Sequence, residues 1–207
     1  MIMEKQDVRD AYDHFARWYD FVELVPELLG VAALRRRLLA HARGRILEVA
    51  VGTGRNLRHY PSGSRIVGVD LSDGMMQRAR RKARRMSVAA HFAVMDGDRL
   101  AVPDHAFDTV VSSLTLCTFP DPERALREMA RACSSGGAIL LVEHGRSALG
   151  WLGRWQDRGA ERHAEMLGCH WNREPLDIVR AAGLEVLHAD RRFLGVFHGI
   201  MARPRTA

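Results

Sequence analysis

The sequence of 207 residues has no run of about eighteen apolar residues, so no membrane-spanning helix is expected. Its opening stretch, Met1 to Asp13, is polar and lacks the apolar core of a secretory signal. Only three cysteines occur, Cys117, Cys133 and Cys169, and no two of them have C-x-x-C spacing. That points to a reducing, cytoplasmic setting with no structural disulfide and no metal site. Internal repeats and low-complexity linkers are absent, which excludes solenoid and tethered-array architectures. Basic residues are not interleaved with aromatics, and no Asn-Pro-Pro-Tyr-type motif for a flipped base is present, so nucleic acid is not an expected partner.

What remains is the composition of one globular domain, long enough to enclose a core and a ligand cleft. The formal net charge of +6 rests mostly on arginine and permits contact with anionic surfaces without requiring it. The run Arg78-Ala-Arg-Arg-Lys-Ala-Arg-Arg85 reads as a solvated helix face. The group Arg35-Arg-Arg37, with Arg43 and Arg45, flanks an apolar stretch and looks like a surface-docking helix, compatible with peripheral contact at the inner membrane surface.

From Gly44 onward, short β-branched runs alternate with helical patterns. Strands are expected near 45–50, 65–69, 89–95, 109–112 and 138–143, with helices near 56–60, 73–86 and 122–133 between them. This alternation predicts an α/β fold with a parallel sheet covered by helices on both faces. Two further strands, 184–189 and 193–201, read as a hairpin at the sheet edge. Asp121 followed by Pro122 is an N-cap before a first-turn proline. Gly136-Gly137 is expected to supply a left-handed helix stop. Helical patterns at 8–19, 26–42, 149–167 and 175–182 sit where they would roof the carboxyl edge of the sheet, the edge at which open α/β sheets bind ligands. The expected organisation is an N-terminal helical lid over 1–43 and a main domain over 44–207, with a helical insertion at about 148–182.

Three signals carry chemistry. In Ile46-Leu-Glu-Val-Ala-Val-Gly-Thr-Gly54 a strand runs into a glycine turn, where Gly52 and Gly54 allow a ligand to approach the backbone. A dinucleotide fingerprint would need a third glycine where Leu57 stands. Glu48 beside the turn disfavours a phosphate and suits a cationic ligand. The second signal is Ile66-Val-Gly-Val-Asp70, a strand ending in an acid placed to bond ribose hydroxyls. The third is Met95-Asp96-Gly97, an acid and a backbone N–H suited to an adenine edge.

These segments, with Phe107-Asp-Thr-Val-Val111, Pro120-Asp-Pro-Glu-Arg-Ala-Leu-Arg-Glu-Met129 and Ser135-Gly-Gly-Ala138, resemble the class I S-adenosylmethionine-dependent methyltransferases. The chain is similar to the branch holding ubiquinone/menaquinone C-methyltransferases, phosphatidylethanolamine N-methyltransferases and thiol methyltransferases. The resemblance implies a Rossmann-like, doubly wound sheet of seven strands, mostly parallel with an antiparallel C-terminal hairpin strand. It implies S-adenosyl-L-methionine as cofactor, held by Glu48, Ala50, Gly52, Gly54, Asn56, Asp70, Leu71, Met75, Asp96, Gly97 and Ser113. The segment Tyr12-Asp-His-Phe-Ala-Arg-Trp-Tyr-Asp20 is similar to one that folds over the cofactor in this branch, which adds Tyr12 and Tyr19. Ala50 departs from the family by replacing its first glycine. Leu114-Thr-Leu-Cys-Thr118, Glu143-His144 and Gly168-Cys-His-Trp-Asn-Arg173 look most like the thiol methyltransferase group.

The implied partner is a small-molecule or lipid acceptor. A sulfonium is already an activated donor, so the need for a base depends on the acceptor. A thiol, with a reference pKa of about 8.5, needs little help. His144, His170 and Tyr19 are the candidates for acid–base or orienting roles. His144 and His170 read equally as anchors on backbone groups, and Tyr19 as a stacking residue. Cys117 and Cys169 read as buried, inert thiols.

Overall fold

The computed structural model describes Phe21 and residues 24–205. The expected helix at 8–19, and Tyr12 and Tyr19 with it, lie outside the described residues.

Seven strands form one sheet: β1 (Arg45–Val49), β2 (Arg65–Asp70), β3 (Ala90–Val94), β4 (Phe107–Ser113), β5 (Cys133–His144), β6 (Leu184–Arg192) and β7 (Phe197–Pro204). Their spatial order is β3-β2-β1-β4-β5-β7-β6. β7 runs antiparallel to both β5 and β6, and the other pairings are parallel. The order reverses between β1 and β4, which opens a crevice at their carboxyl ends.

Helices cover both faces. The first, α1, has three pieces, Leu24–Pro26, a π-helical Glu27–Val31 and Ala32–Leu39. It is kinked at Gly30, whose φ of 127° only glycine adopts readily. A 3₁₀ turn, Arg55–His59, follows β1. Then come α2 (Asp73–Arg85), α3 (Pro122–Ala132), α4 (Gly150–Leu167) and α5 (Pro175–Ala181). Alternate residues of the central strands serve opposite faces. Leu47, Val49, Val110 and Leu141 pack under α3 and α5, while Ile46, Ile66, Val111 and Leu140 pack under α1 and α2. Strands buried on both sides must be apolar throughout, which is why they read as unbroken hydrophobic runs.

Capping is local and legible. Ser72 accepts the Met75 N–H at 3.0 Å, and Asp121 accepts the Arg124 N–H at 2.9 Å with Pro122 next in line. Each such cap contributes about 1 kcal/mol. The run at 78–85 behaves as a solvated face, with Ala79 and Ala83 buried and Arg81, Arg84 and Arg85 exposed.

Two expectations change. Gly136-Gly137 is not a left-handed stop. Cys133 is already extended, and both glycines continue β5. The Cβ of a residue at Gly137 would lie 2.8 Å from the Asp108 carbonyl oxygen, so the glycine serves close strand approach. The other is Arg35, which is not a surface residue: it is 4 % exposed, while Arg36 and Arg37 face solvent. Val31, Leu34, Leu38 and Leu39, which precede Gly44, belong to the core.

Candidate active site

The carboxyl ends of β1, β2, β3 and β4 enclose a cleft of about 1030 Å³, counted to its open mouth. Glu48, Ala50, Gly52, Asn56, Asp70, Leu71, Met75, Asp96, Gly97 and Ser113 all line it. Gly54 does not. A Cβ there would lie 2.7 Å from Leu57 Cδ1 and 3.1 Å from the Ala79 backbone, so this glycine lets α2 pack against the turn. Gly52 is different, since a Cβ there would meet nothing within 4 Å. Its backbone borders open space, the geometry a close-lying ligand requires.

The turn itself is left-handed at three positions: Ala50 with φ 54°, Gly52 with φ 55° and Gly54 with φ 75°. Only Ala50 carries a Cβ there, at a cost of about 1–2 kcal/mol. Asp70 holds the turn from the next strand. Its Oδ2 accepts the Gly52 N–H at 2.8 Å and its Oδ1 accepts the Ser72 N–H at 2.9 Å. Asp96 similarly orders its own loop by accepting the Asp98 N–H at 3.0 Å.

Glu48 is 2 % exposed and sits in a buried network. Asn56 Nδ2 donates to Glu48 Oε1 at 2.9 Å and lies 3.0 Å from Ser113 Oγ. The Tyr60 hydroxyl donates to Glu48 Oε2 at 2.8 Å. Arg35 donates to the Asn56 side-chain oxygen and to Glu27 Oε1, tying α1 to the end of β1. Burial pushes the Glu48 carboxyl up to about 7, against the lowering effect of Tyr60 and Asn56. Burial likewise raises the Tyr60 hydroxyl well above its ordinary value.

The histidine candidates fall elsewhere. Neither His144 nor His170 is among the residues lining the cleft. His144 Nε2 lies 3.4 Å from Cys169 Sγ, and the His170 N–H donates to the Cys117 carbonyl at 2.9 Å. Burial lowers the His170 pKa. The Cys117 thiol and the His144 ring hold the Cys169 thiol below its ordinary value. Asn172 donates to Asp157, and Glu174 precedes the first-turn Pro175 of α5.

Sequence reading missed Arg35, Tyr60, Arg55, Thr118, Phe119 and Pro120 as parts of the site or its support. Arg35 had a signal. It shares a helical face with Val31, Leu38 and Leu39 and was bound to point inward. Tyr60 had none, because the 3₁₀ turn that swings it under Glu48 has no periodic signature.

The chain has relatives among known proteins. The sequence model of the family described as methyltransferase domain matches residues 47–141. The chain is 42% identical over 115 residues to a phosphatidylethanolamine N-methyltransferase of Cereibacter sphaeroides, covering 53% of this chain and 57% of that protein. It is 34% identical over 162 residues to a demethylmenaquinone methyltransferase of Deinococcus radiodurans, covering 72% and 67%. The chain spans about half the length of the first curated relatives it matches. A solved S-adenosylmethionine-dependent methyltransferase from Thermotoga maritima superposes with a TM-score of 0.71 at 22% identity, over 96% of this chain and all of that one, a likeness of fold.

Proposed function

Since the chain belongs to the class I S-adenosylmethionine-dependent methyltransferase family, we propose that it transfers a methyl group from that cofactor to a small, apolar acceptor of thiol, amine or quinone/phenol type. The observation that carries this reading is the meeting of Glu48, Asp70 and Asp96 around the bare backbone of Gly52 in one cleft. The donor set fits the cofactor. Asp70 accepts from ribose hydroxyls, Asp96 from the adenine amine, and Glu48 supplies negative charge near the cationic amino-acid end. Arg55, also in the cleft wall, suits the carboxylate of that end. Bound there, S-adenosylmethionine supplies a methyl group already activated on a sulfonium.

The chain's own task is alignment and exclusion of water. Holding donor and acceptor in line contributes up to roughly 7–11 kcal/mol. Leu114, Thr118, Phe119 and Pro120 form the wall on the β4 side and give the acceptor an apolar surface. His144 and His170 lie outside this wall. Tyr12 and Tyr19 complete the reading as a cover over the cofactor.

Two measurements test it. Saturating cofactor, at about a hundred times Kd, raises the melting temperature by roughly 5–10 °C. A panel of thiols, amines, phenols and phosphatidylethanolamine, incubated with labelled cofactor and read by product mass, then identifies the acceptor. An unmoved melting temperature sinks the cofactor assignment.

A second reading places the reaction on a phospholipid head group at a membrane surface. No helix among the described residues is long and apolar enough to cross a membrane. One edge of the fold is nevertheless apolar and exposed. Leu28 is 78% exposed on α1, and Phe193, Leu194, Leu149 and Trp151 are also exposed. The segments that carry them meet: Gly30 packs beside Arg192, Gly195 packs on Ala148, and Ser147 Oγ donates to the Leu194 carbonyl at 2.7 Å. Arg36 and Arg37 lie on the same helix. Co-sedimentation with anionic but not neutral vesicles, weakened by Leu28→Glu, supports this reading; recovery in the supernatant with both removes it.

A further inference from the structure

Away from the cleft lining, three side chains distant in sequence converge. Cys117 comes from the loop after β4, His144 ends β5, and Cys169 lies between α4 and α5. Their two sulfurs and one ring nitrogen all lie within 4.8 Å of one another. Nothing in the methyl-transfer chemistry described above uses them. We infer that Cys117, His144 and Cys169 form a Cys₂His site for a zinc ion.

Geometry supports the assignment. In a tetrahedral zinc site with bonds of about 2.3 Å to sulfur and 2.0–2.1 Å to nitrogen, neighbouring ligand atoms stand roughly 3.5–3.8 Å apart. His144 Nε2 and Cys169 Sγ, 3.4 Å apart, already have the spacing of two ligands on one ion. The donor set supports it too. Two thiolates and a neutral imidazole are soft-to-borderline ligands that select zinc over calcium or magnesium, and two negative sulfurs balance a dication. Three protein ligands leave one position for water or an exogenous ligand.

The scaffold holds the three donors in place by bonds that do not involve the donor atoms. The His170 N–H reaches the Cys117 carbonyl at 2.9 Å. Arg173 donates to the carbonyls of Leu116 and Phe119, the latter at 2.8 Å. Glu143 Oε2 accepts the N–H groups of Thr115 and Leu116 at 2.9 and 3.2 Å. His163 Nδ1 lies 2.8 Å from the Cys169 carbonyl. The loop bearing Cys117 and the segment bearing Cys169 are thereby fixed to each other before any ion binds. The same loop carries Leu114, Thr115, Thr118 and Phe119 in the cleft wall. An ion held by Cys117 would brace the loop that forms this wall.

The test uses the full chain, purified under reducing conditions, stripped with chelator and titrated with Zn²⁺. One zinc per chain is expected by elemental mass spectrometry. Co²⁺ in place of zinc should show thiolate-to-cobalt charge transfer and tetrahedral ligand-field bands. Cys169→Ser and His144→Gln, at partly exposed positions, should weaken binding by at least about 10–100-fold with far-ultraviolet circular dichroism unchanged. Cys133→Ser should leave it intact, since that thiol is not in the cluster. Should the variants fail to fold, the Co²⁺ spectrum of the unaltered chain still decides. Absence of stoichiometric zinc, or a cobalt spectrum without thiolate bands, would overturn the proposal.

Discussion

Gly52 donates its backbone N–H to the Asp70 carboxylate at 2.8 Å, so the turn after β1 and the acid ending β2 are one unit. Replacing Asp70 by alanine removes an acceptor from the cleft and also releases the turn. Cofactor affinity should fall at least roughly tenfold, the loss of about one charge-assisted hydrogen bond. Asp70→Asn keeps one carbonyl acceptor and should lose less. Titration calorimetry on both variants checks this, and equal affinity in all three proteins would remove Asp70 from the cofactor site.

Glu48 predicts a pH dependence. Its carboxyl, raised by burial from an ordinary 4.5 to about 7, keeps a proton in the folded state that the unfolded chain releases. Its contribution to stability is therefore fully present below about 4.5 and is lost as pH climbs to about 7, on the order of 3 kcal/mol across the window. Glu143, raised by burial to about 7 as well, adds a parallel loss. Urea midpoints measured from about pH 5 to 7 should decline more gently in Glu48→Gln. An unchanged slope would mean that Glu48 is ionised throughout.

The same acid couples to the ligand. A cationic cofactor favours the ionised carboxylate, so affinity should rise as pH approaches about 7 and then level off. Calorimetry in buffers of differing ionisation enthalpy should show protons released on binding near neutral pH. In Glu48→Gln that release should vanish.

Two small substitutions in the turn have opposite signs. Ala50→Gly relieves a left-handed alanine and should stabilise by up to about 1 kcal/mol, with cofactor binding retained. Gly54→Ala drives a methyl group into Leu57 and Ala79 and should cost about 1–3 kcal/mol. Denaturant midpoints distinguish them. Matching shifts of one sign would contradict the packing role given to Gly54.

Glu143 supports the opposite wall by accepting two backbone N–H groups. Glu143→Ala leaves both donors buried without an acceptor, which costs about 1–3 kcal/mol for each. Glu143→Gln retains an oxygen of the same reach and should be markedly milder. Amide exchange at Thr115 and Leu116 reports the difference directly.

Features written by periodicity or by covalent necessity were legible in the sequence. The seven strands followed from β-branched runs, and Asp121-Pro122 announced a helix start. Glu48, Asp70 and Asp96 were found because each lies at or just beyond the carboxyl end of a strand, and strand ends in such sheets converge. What escaped notice depends on distance in space rather than along the chain. Cys117, His144 and Cys169 have no common spacing, and only the approach of two connecting segments unites them. Arg35 was read with its neighbours as surface charge, although its helical phase put it inside. Gly136-Gly137 looked like a helix stop because glycine serves two ends, free rotation and close approach, and composition does not say which.

β7 lies between β5 and β6 although it follows both in sequence. A nascent chain that has made residues up to 192 therefore holds an incomplete sheet, with the buried, apolar β5 presenting an unpaired margin. Ile139 waits for Ala202, and Leu141 waits for Ile200. Closure of this gap is a long-range event, slower than local helix formation. Before it happens, the open margin is a template for strands of other molecules. Synthesis of this protein should accordingly be most dependent on chaperones in the interval between emergence of β5 and insertion of β7.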